Sequence, residues 1–242
     1  MSKYNVDVIM LANNLYDTHY ELSLETVNTL RATKGDVKFN IIIIESNTDS
    51  NYHFDDCTIV KPDKPFNYGE FTNIGYTYCT NEWVMVINND LIFTPEWFNE
   101  IIKVYEENPN IKSFSSYEPN FLGGYYWGYY NDTDNLYFGY SVPMYLTGWC
   151  YLHKREILEI IGGCDEQFSF YYVDNDYGKM LEYYNIPHCL VKSSIVYHKV
   201  NKSHDTIPDL VNETKFKETE ILFLKKWDNI ADNPYNINTH KS

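Results

Sequence analysis

The sequence contains no CxxC pair, and its five cysteines, Cys57, Cys79, Cys150, Cys164 and Cys189, are odd in number and scattered. That argues against a zinc site or a disulfide framework and for reduced, half-buried thiols of a cytoplasmic protein. Long hydrophobic runs are also missing; FNIIII is far too short to cross a membrane. The opening MSKYNVDV has no apolar stretch after its lysine, so no signal peptide is expected. Basic residues are scarce: 19 Lys and Arg stand against 34 Asp and Glu, a formal net charge of −15, and Lys225–Lys226 is the densest basic pair. Such a chain repels nucleic acid unless a local basic patch or a metal intervenes. A divalent cation can still bridge it to a polyanionic substrate. The dinucleotide fingerprint GxGxxG and the P-loop GxxxxGK[ST] are both absent, and there is no internal repeat or linker.

What is present is apolar residue in quantity, 44% of 242 residues, enough to bury a substantial core. Tyrosine is abundant at 24 copies. An AT-rich coding bias, which also favours Asn, Lys and Ile, accounts for that count ahead of a sugar-, base- or partner-stacking surface.

The first half alternates strand and helix. VDVIMLANN at 6–14 reads as a buried strand that ends in a polar loop, and 19–33 places Leu24, Val27 and Leu30 at helical spacing before Gly35. VKFNIIIIESNTDS is a second buried strand with a polar tip at 45–50, CTIVKP a short third, and 69–79 a helix. EWVMVINND follows as a strand. The spacing predicts a helix over 94–107, with Thr94 as cap, Pro95 at the first position and Trp97, Phe98, Ile101, Ile102 and Tyr105 on one face. Alternation of this kind predicts an α/β fold with a mostly parallel central sheet flanked by helices, in which ligands bind beyond the carboxyl ends of the strands. Those ends read ANN, ESNTD and NND, all polar.

The second half is less regular. TGWCYLHKREILEIIGG reads as a strand running into a short helix that stops at Gly162–Gly163, and DNDYGKMLEYYN as a helix led by carboxylates. IPHCLVKSSIVYHKV supplies one or two strands, 214–227 an amphipathic helix, and the last dozen residues a frayed tail. Asp90 at a strand tip suits a hard cation carrying a diphosphate, although a polar turn also explains the triplet alone. Of Asp174 and Asp176, one can cap the helix while the other faces substrate as a general base; two capping residues would look the same. His198 alone reads as a satisfied surface histidine ahead of a metal ligand.

Taken together, VDVIMLANN, IIIIESNTDS, FNYGEFTNIGYTYCTNEWVMVINNDLIFTPEWFNEI and TGWCYLHKREILEIIGGCDEQFSFYYVDNDYGKMLEYYNIPHCLVKSSIVYH resemble, in order and spacing, the inverting family 2 glycosyltransferases of GT-A fold. The resemblance covers roughly residues 5–200. It implies a single domain whose residues 1–115 bind a nucleotide-sugar and whose residues 116–230 bind the acceptor and catalyse transfer. It places Asn88, Asn89 and Asp90 at the family's DXD motif, with Asp90 a ligand of Mn²⁺ or Mg²⁺ and His198 completing the metal site. Asn88 in the first position is the variant of rhamnosyltransferase-like members. Glu45 stands where the family's aspartate contacts the base, with Asn14 and the Ala12–Asn13 backbone in the same pocket. Asn73 and Gly75 match the N.G that helps to hold the donor, and Thr147, Gly148 and Trp149 the floor beneath the donor sugar. Asp174 matches the general base and Asp176 the second aspartate of the pattern.

Two departures stand out. Val173 replaces the acid that usually precedes the base, and the family's arginine after the aspartates is Lys179 or missing. The implied reaction is a single inverting displacement from a UDP- or dTDP-linked sugar, with Asp174 deprotonating the acceptor hydroxyl. The tyrosine-rich stretch 125–140 lies where acceptor segments of the family sit, and Tyr125, Tyr126, Trp127, Tyr129 and Tyr130 either stack on acceptor or form an aromatic core cluster. ESN and FNYGEFTNIG resemble bacteriophage-encoded glycosyltransferases, for which a hydroxymethylated pyrimidine in DNA is an acceptor and the host cytoplasm the location. The −15 charge speaks against DNA; a saccharide or lipid-linked acceptor is the family's commoner target. A nucleotide-sugar-binding module without catalysis and a nucleotidyltransferase are the other readings. The latter lacks its glycine-rich, basic N-terminal loop.

Overall fold

The computed structural model describes residues 2–119, 130, 133–199, 209 and 211–227. Tyr125, Tyr126, Trp127 and Tyr129, expected to bind acceptor, lie outside them, as does the expected tail 231–242.

Three apolar runs become the sheet's centre: β1 (Tyr4–Ala12), β2 (Val37–Glu45) and β4 (Trp83–Asn88). With β3 (Cys57–Val60) they pair in parallel in the order β3-β2-β1-β4. These strands are continuous hydrophobic runs because both faces are covered. Side chains alternate between two cores, as a period of two requires. Val8, Met10, Ile41, Ile43, Met85 and Ile87 enter one core, and Ile9, Leu11, Ile42, Ile44, Val84 and Val86 the other.

The first face is packed by α1 (Asp17–Arg31) through Val27 and Leu30, and by α3 (Trp97–Glu107) through Trp97, Phe98 and Ile101. The second is packed by α2 (Tyr68–Tyr76), α4 (Glu156–Ile161) and α5 (Val173–Tyr183), through Phe71, Ile157, Ile161, Tyr177 and Leu181. The expected helix and strand order of the first half is therefore present. Helix α3 begins at Trp97 instead of Thr94: the Thr94 hydroxyl and N–H both donate to the Ile195 carbonyl, at 2.8 and 3.4 Å, which ties Thr94 to that strand residue ahead of the helix. Helix α4 stops at Gly162 as expected.

Beyond β4 the sheet becomes mixed. β8 (Cys150–Lys154) pairs antiparallel with β4 and with β6 (Ser113–Tyr117). β6 runs parallel to the eleven-residue β9 (His188–His198), which also takes β5 (Leu91–Phe93) and β7 (Leu136–Phe138) antiparallel. β6 escapes a search for apolar runs because it reads SFSSY. Its serines are buried but satisfied: Ser115 Oγ accepts from the Thr147 N–H at 3.0 Å, Ser116 bonds Ser194 at 2.9 Å, and Ser113 bonds His188 Nδ1 at 2.8 Å. Helix α6 (Glu213–Trp227) closes the described chain. None of the described helices is long and apolar enough to cross a membrane.

Asp7, in the middle of the parallel sheet, is fully buried. It accepts from the Thr80 and Asn81 N–H groups, both at 2.6 Å, and from the Asn81 and Asn40 side-chain amides at 2.7 Å. This satisfied carboxylate fixes the turn that feeds β4, and so the starting point of the strand that carries Asn88.

His153 on β8 and His188 on β9 are also fully buried, and burial lowers both imidazoles from 6.5 to about 4. The unfolded chain takes up these protons near pH 6.5, the folded one only near pH 4. Between those values the unfolded state binds more protons, so folding stability falls as pH drops from 6.5 to 4. His153 stacks on Tyr151 with ring centroids 6.0 Å apart, so a phenyl ring can take its place without titrating. His153→Phe is expected to show a shallower loss of stability over that window, by on the order of 3 kcal/mol at pH 4. Urea denaturation at pH 7 and pH 4 for both proteins checks this; parallel curves would remove His153 as a cause.

Candidate active site

The parallel register sets Ala12 opposite Glu45 and Leu11 opposite Asn88, so three polar tips emerge at one level. A buried chain of hydrogen bonds ties them together. Glu45 accepts from the Asn14 N–H at 3.1 Å, the Asn14 amide at 2.5 Å and the Asn47 N–H at 2.8 Å. Asn14 Oδ1 accepts from the Ser23 hydroxyl at 2.7 Å, and Ser23 Oγ accepts from the Asn89 amide at 2.9 Å. Burial pushes the Glu45 carboxyl up, against the opposing pull of its bonds to Asn47 and Asn14.

Beside these tips opens a cavity of about 610 Å³. Ala12, Asn13, Ser46 and Asn88–Asp90 form its sheet side. Glu45 and Asn14 do not reach its wall. The oxygens of Glu45, expected to contact a base, are engaged by the Asn14 and Asn47 loops.

Asp90 sits in the β4–β5 turn, 5% exposed. The β5–β9 pairing sets Leu91 opposite His198, which brings His198 Nε2 to 3.1 Å from Asp90 Oδ1. Trp149 stacks on the His198 ring, centroids 5.3 Å apart, and all three residues face the cavity. Asp90 Oδ1 and His198 Nδ1 are shielded from water yet make no hydrogen bond among the described residues. Two ligand atoms about 3 Å apart suit neighbouring positions around a Mg²⁺-sized ion with bonds of ~2.1 Å. No cluster of three or more His, Cys, Asp or Glu side chains able to hold a metal occurs among the described residues. An ion here would draw its remaining ligands from water and substrate phosphates, as Mg²⁺ commonly does. The residues present fit a divalent cation on those terms.

On the opposite side, Tyr172 at φ 67° turns the chain into α5, and Asp174 lies in its first turn. Asp174 Oδ1 accepts from the Asn175 N–H at 2.9 Å. Its other oxygen lies over Gly148, where an added Cβ would come within 2.1 Å of Oδ2. Only glycine permits this approach. Burial raises the Asp174 carboxyl above its ordinary value, against the hydrogen bond from Asn175. Asp174, Gly148 and Trp149 all line the cavity with Asp90 and His198.

The other expected site residues have different work. Asp176 is turned away from the cavity: it accepts from Trp227 Nε1 at 2.8 Å and pairs with Lys226 at 2.8 Å, which also holds Asp165 at 2.8 Å. Asn73 grips the loop after α4, accepting from the Cys164 N–H at 2.8 Å and donating to the Cys164 carbonyl and Glu166, both at 2.9 Å. At Gly75 an added Cβ would meet Ile9 Cγ2 at 2.5 Å, so this glycine serves the close packing of α2 on β1. Neither Asn73 nor Gly75 lines the cavity. Tyr130, taken as an acceptor or core residue, packs edge-on against Tyr117 and Tyr137 at 5.3 and 4.9 Å.

Sequence reasoning missed the aromatic wall. Phe66 just before α2, Tyr68 at its first position, Phe170–Tyr172 before α5, and Phe216 from α6 all face the cavity. The signal was present in FSFYYVD beside the base and in Phe216, Glu220, Phe223 and Trp227, which share one face of α6.

No curated protein matches the chain by sequence. Solved structures match by fold. GalNAc-T7, crystallised with UDP, GalNAc and Mn²⁺, superposes with a TM-score of 0.68 at 10% identity over 93% of this chain and 49% of its own. The chain thus spans about half the length of that protein. The mannosyltransferase PcManGT of Pyrobaculum calidifontis, in complex with GDP-Man and Mn²⁺, gives 0.62 at 13% identity, covering 91% of this chain and 66% of its own. TarS of S. aureus, in a crystal structure of residues 1–349, gives 0.62 at 9% identity, covering 89% and 68%. At such identities the likeness establishes the GT-A type of fold. Residues 24–199 match the sequence model of glycosyl transferase family 2, and the chain belongs to that family.

Proposed function

We propose that this protein is a glycosyltransferase that moves a sugar from a nucleoside-diphosphate sugar to an acceptor hydroxyl, with inversion and with help from a divalent cation. The observation that carries the proposal is the sharing of one cavity by two features. One is the largely buried Asp90–His198 pair, Oδ1 and Nε2 3.1 Å apart, the other a carboxylate, Asp174, whose pKa burial has raised. Family membership supports it, as do the nucleotide, sugar and Mn²⁺ with which the fold relatives were crystallised or complexed.

In this reading residues 1–115 hold the donor and 116–230 the acceptor. Asp90 and His198 hold Mn²⁺ or Mg²⁺, which when bound offsets charge on the diphosphate leaving group. Asn88, Ser46 and the Ala12–Asn13 backbone border the donor, and Gly148 and Trp149 lie beneath its sugar. Asp174 accepts the proton of the acceptor hydroxyl as its oxygen attacks the anomeric carbon. A cytoplasmic location accords with the use of nucleotide-sugars. Asn88 at the first position of the DXD motif makes dTDP-rhamnose a donor to test alongside UDP- and GDP-sugars.

Calorimetry with such a donor panel, with and without Mn²⁺, tests the reading. One donor is expected to bind in a Mn²⁺-dependent way, and Asp90→Ala to abolish that dependence. Failure of every donor to bind the folded protein would sink the proposal. Asp174→Asn is expected to retain donor binding and lose about 10²–10⁴-fold in transfer rate. In the wild type, transfer falls as acid protonates Asp174. Because burial raises this carboxyl, the acid limb of kcat/KM lies above the ordinary aspartate value of about 4. A limb at or below that value would remove Asp174 from the role.

A further inference from the structure

Resting on the transferase reading, we infer that the acceptor is an uncharged saccharide whose ring stacks on the aromatic wall completed by Phe216 of α6. Phe66, Tyr68, Phe170, Tyr171, Tyr172 and Phe216 belong to the cavity that holds Asp174. Tyr171 and Tyr172 directly precede the helix carrying that carboxylate, so an acceptor held against them is beside the group that would deprotonate it.

Phe216 reaches this wall from the last described helix. Its ring meets Tyr171 edge-on at 5.2 Å and Tyr172 at 5.5 Å, yet the residue stays 40% exposed. Phe223 deeper on the same helix packs on Tyr172 at 5.0 Å, so Phe216 is not needed to fasten α6. Tyr172 bonds Glu220 at 3.2 Å, and the far end is held by Lys226 and Trp227 on Asp176. A ring brought to a cavity rim by an independently anchored helix, with two-fifths of the residue left exposed, is a platform for a flat apolar surface. The C–H faces of a pyranose present such a surface, and its hydroxyl edges can meet the polar groups that share the cavity.

Charge decides between kinds of acceptor. No lysine or arginine is among the described residues lining the cavity, and Asp90 and Asp174 are. The whole chain carries −15. A polyanion such as DNA, or a phosphorylated sugar, would bring negative charge against carboxylates without a counter-charge on the acceptor side.

The test uses the full chain, Mn²⁺ and the donor found to bind by calorimetry, since a protein that binds no donor overturns the transferase reading beneath this one. Acceptor probes are methyl pyranosides and neutral disaccharides, the matching sugar phosphates, and an oligonucleotide containing hydroxymethylcytosine. Wild type is expected to transfer to a neutral saccharide with kcat/KM at least about 10-fold above any phosphorylated probe. Phe216→Ala is expected to raise the acceptor KM by about 10-fold at unchanged donor Kd, with Phe216→Tyr close to wild type. Equal or better use of the sugar phosphates or the oligonucleotide overturns the inference. So does donor binding without transfer to any saccharide, or an unchanged acceptor KM in Phe216→Ala.

Discussion

Parallel pairing of β1 with β2 and β4 is the constraint on which the site depends, because it delivers Ala12, Glu45 and Asn88 to one edge of the sheet at one level. A strand tip alone is a loose end. Here the tips are locked by the run from Glu45 through Asn14 and Ser23 to Asn89, whose members are all buried. Buried polar chains of this kind are stable only when each donor and acceptor finds its partner. Glu45 and Asn14 therefore give up contact with the cavity, and the backbone beside them forms its wall.

The second half completes the site by reversing direction. Once β8 enters antiparallel to β4, the Trp149 carbonyl can accept from the Asn88 N–H at 2.9 Å, which lays Gly148 and Trp149 against the turn at Asn88–Asp90. β9 crosses far enough to pair with β6 at one end and β5 at the other, and only its last residue, His198, reaches Asp90. A histidine 108 positions from its aspartate thus becomes its neighbour through strand pairing alone.

Much of this was legible in the sequence, for stated physical reasons. Runs such as IIII and VMVI can only be strands buried on both faces, and the polar tips that follow had to meet at one edge. Asp90, His198, Gly148, Trp149 and Asp174, drawn from four separate segments, do line one cavity. What was not legible depends on tertiary contact. Serines of β6 read as loop until their partners on β9 and α5 are known. Asn73 and Gly75 sit at a motif spacing that carries no trace of their tertiary contacts, Asn73 with Cys164 and Glu166 and Gly75 with Ile9. Phe216 lies far outside the segments carrying the family resemblance, so nothing local tied it to the cavity.

Asp174 and Asp176 show how helix geometry alone could have settled one ambiguity. Residues two apart on an α-helix point about 200° from each other, so a pair at this spacing cannot face the same ligand. If Asp174 faces the cavity, Asp176 must face the protein. There its charge needs a partner, since an unpaired carboxylate in that position would be costly to bury. Lys226 and Trp227 supply it from α6, and Lys226 also gathers Asp165 from the loop after α4. The arginine that the family places after its aspartates has no counterpart at Lys179, which pairs with Glu182 on its own helix. The cation beside the second aspartate comes instead from the end of α6. The same helix carries Phe216 at its other end, so the turn that aims Asp174 and the ring at the cavity rim are fastened to one rigid element.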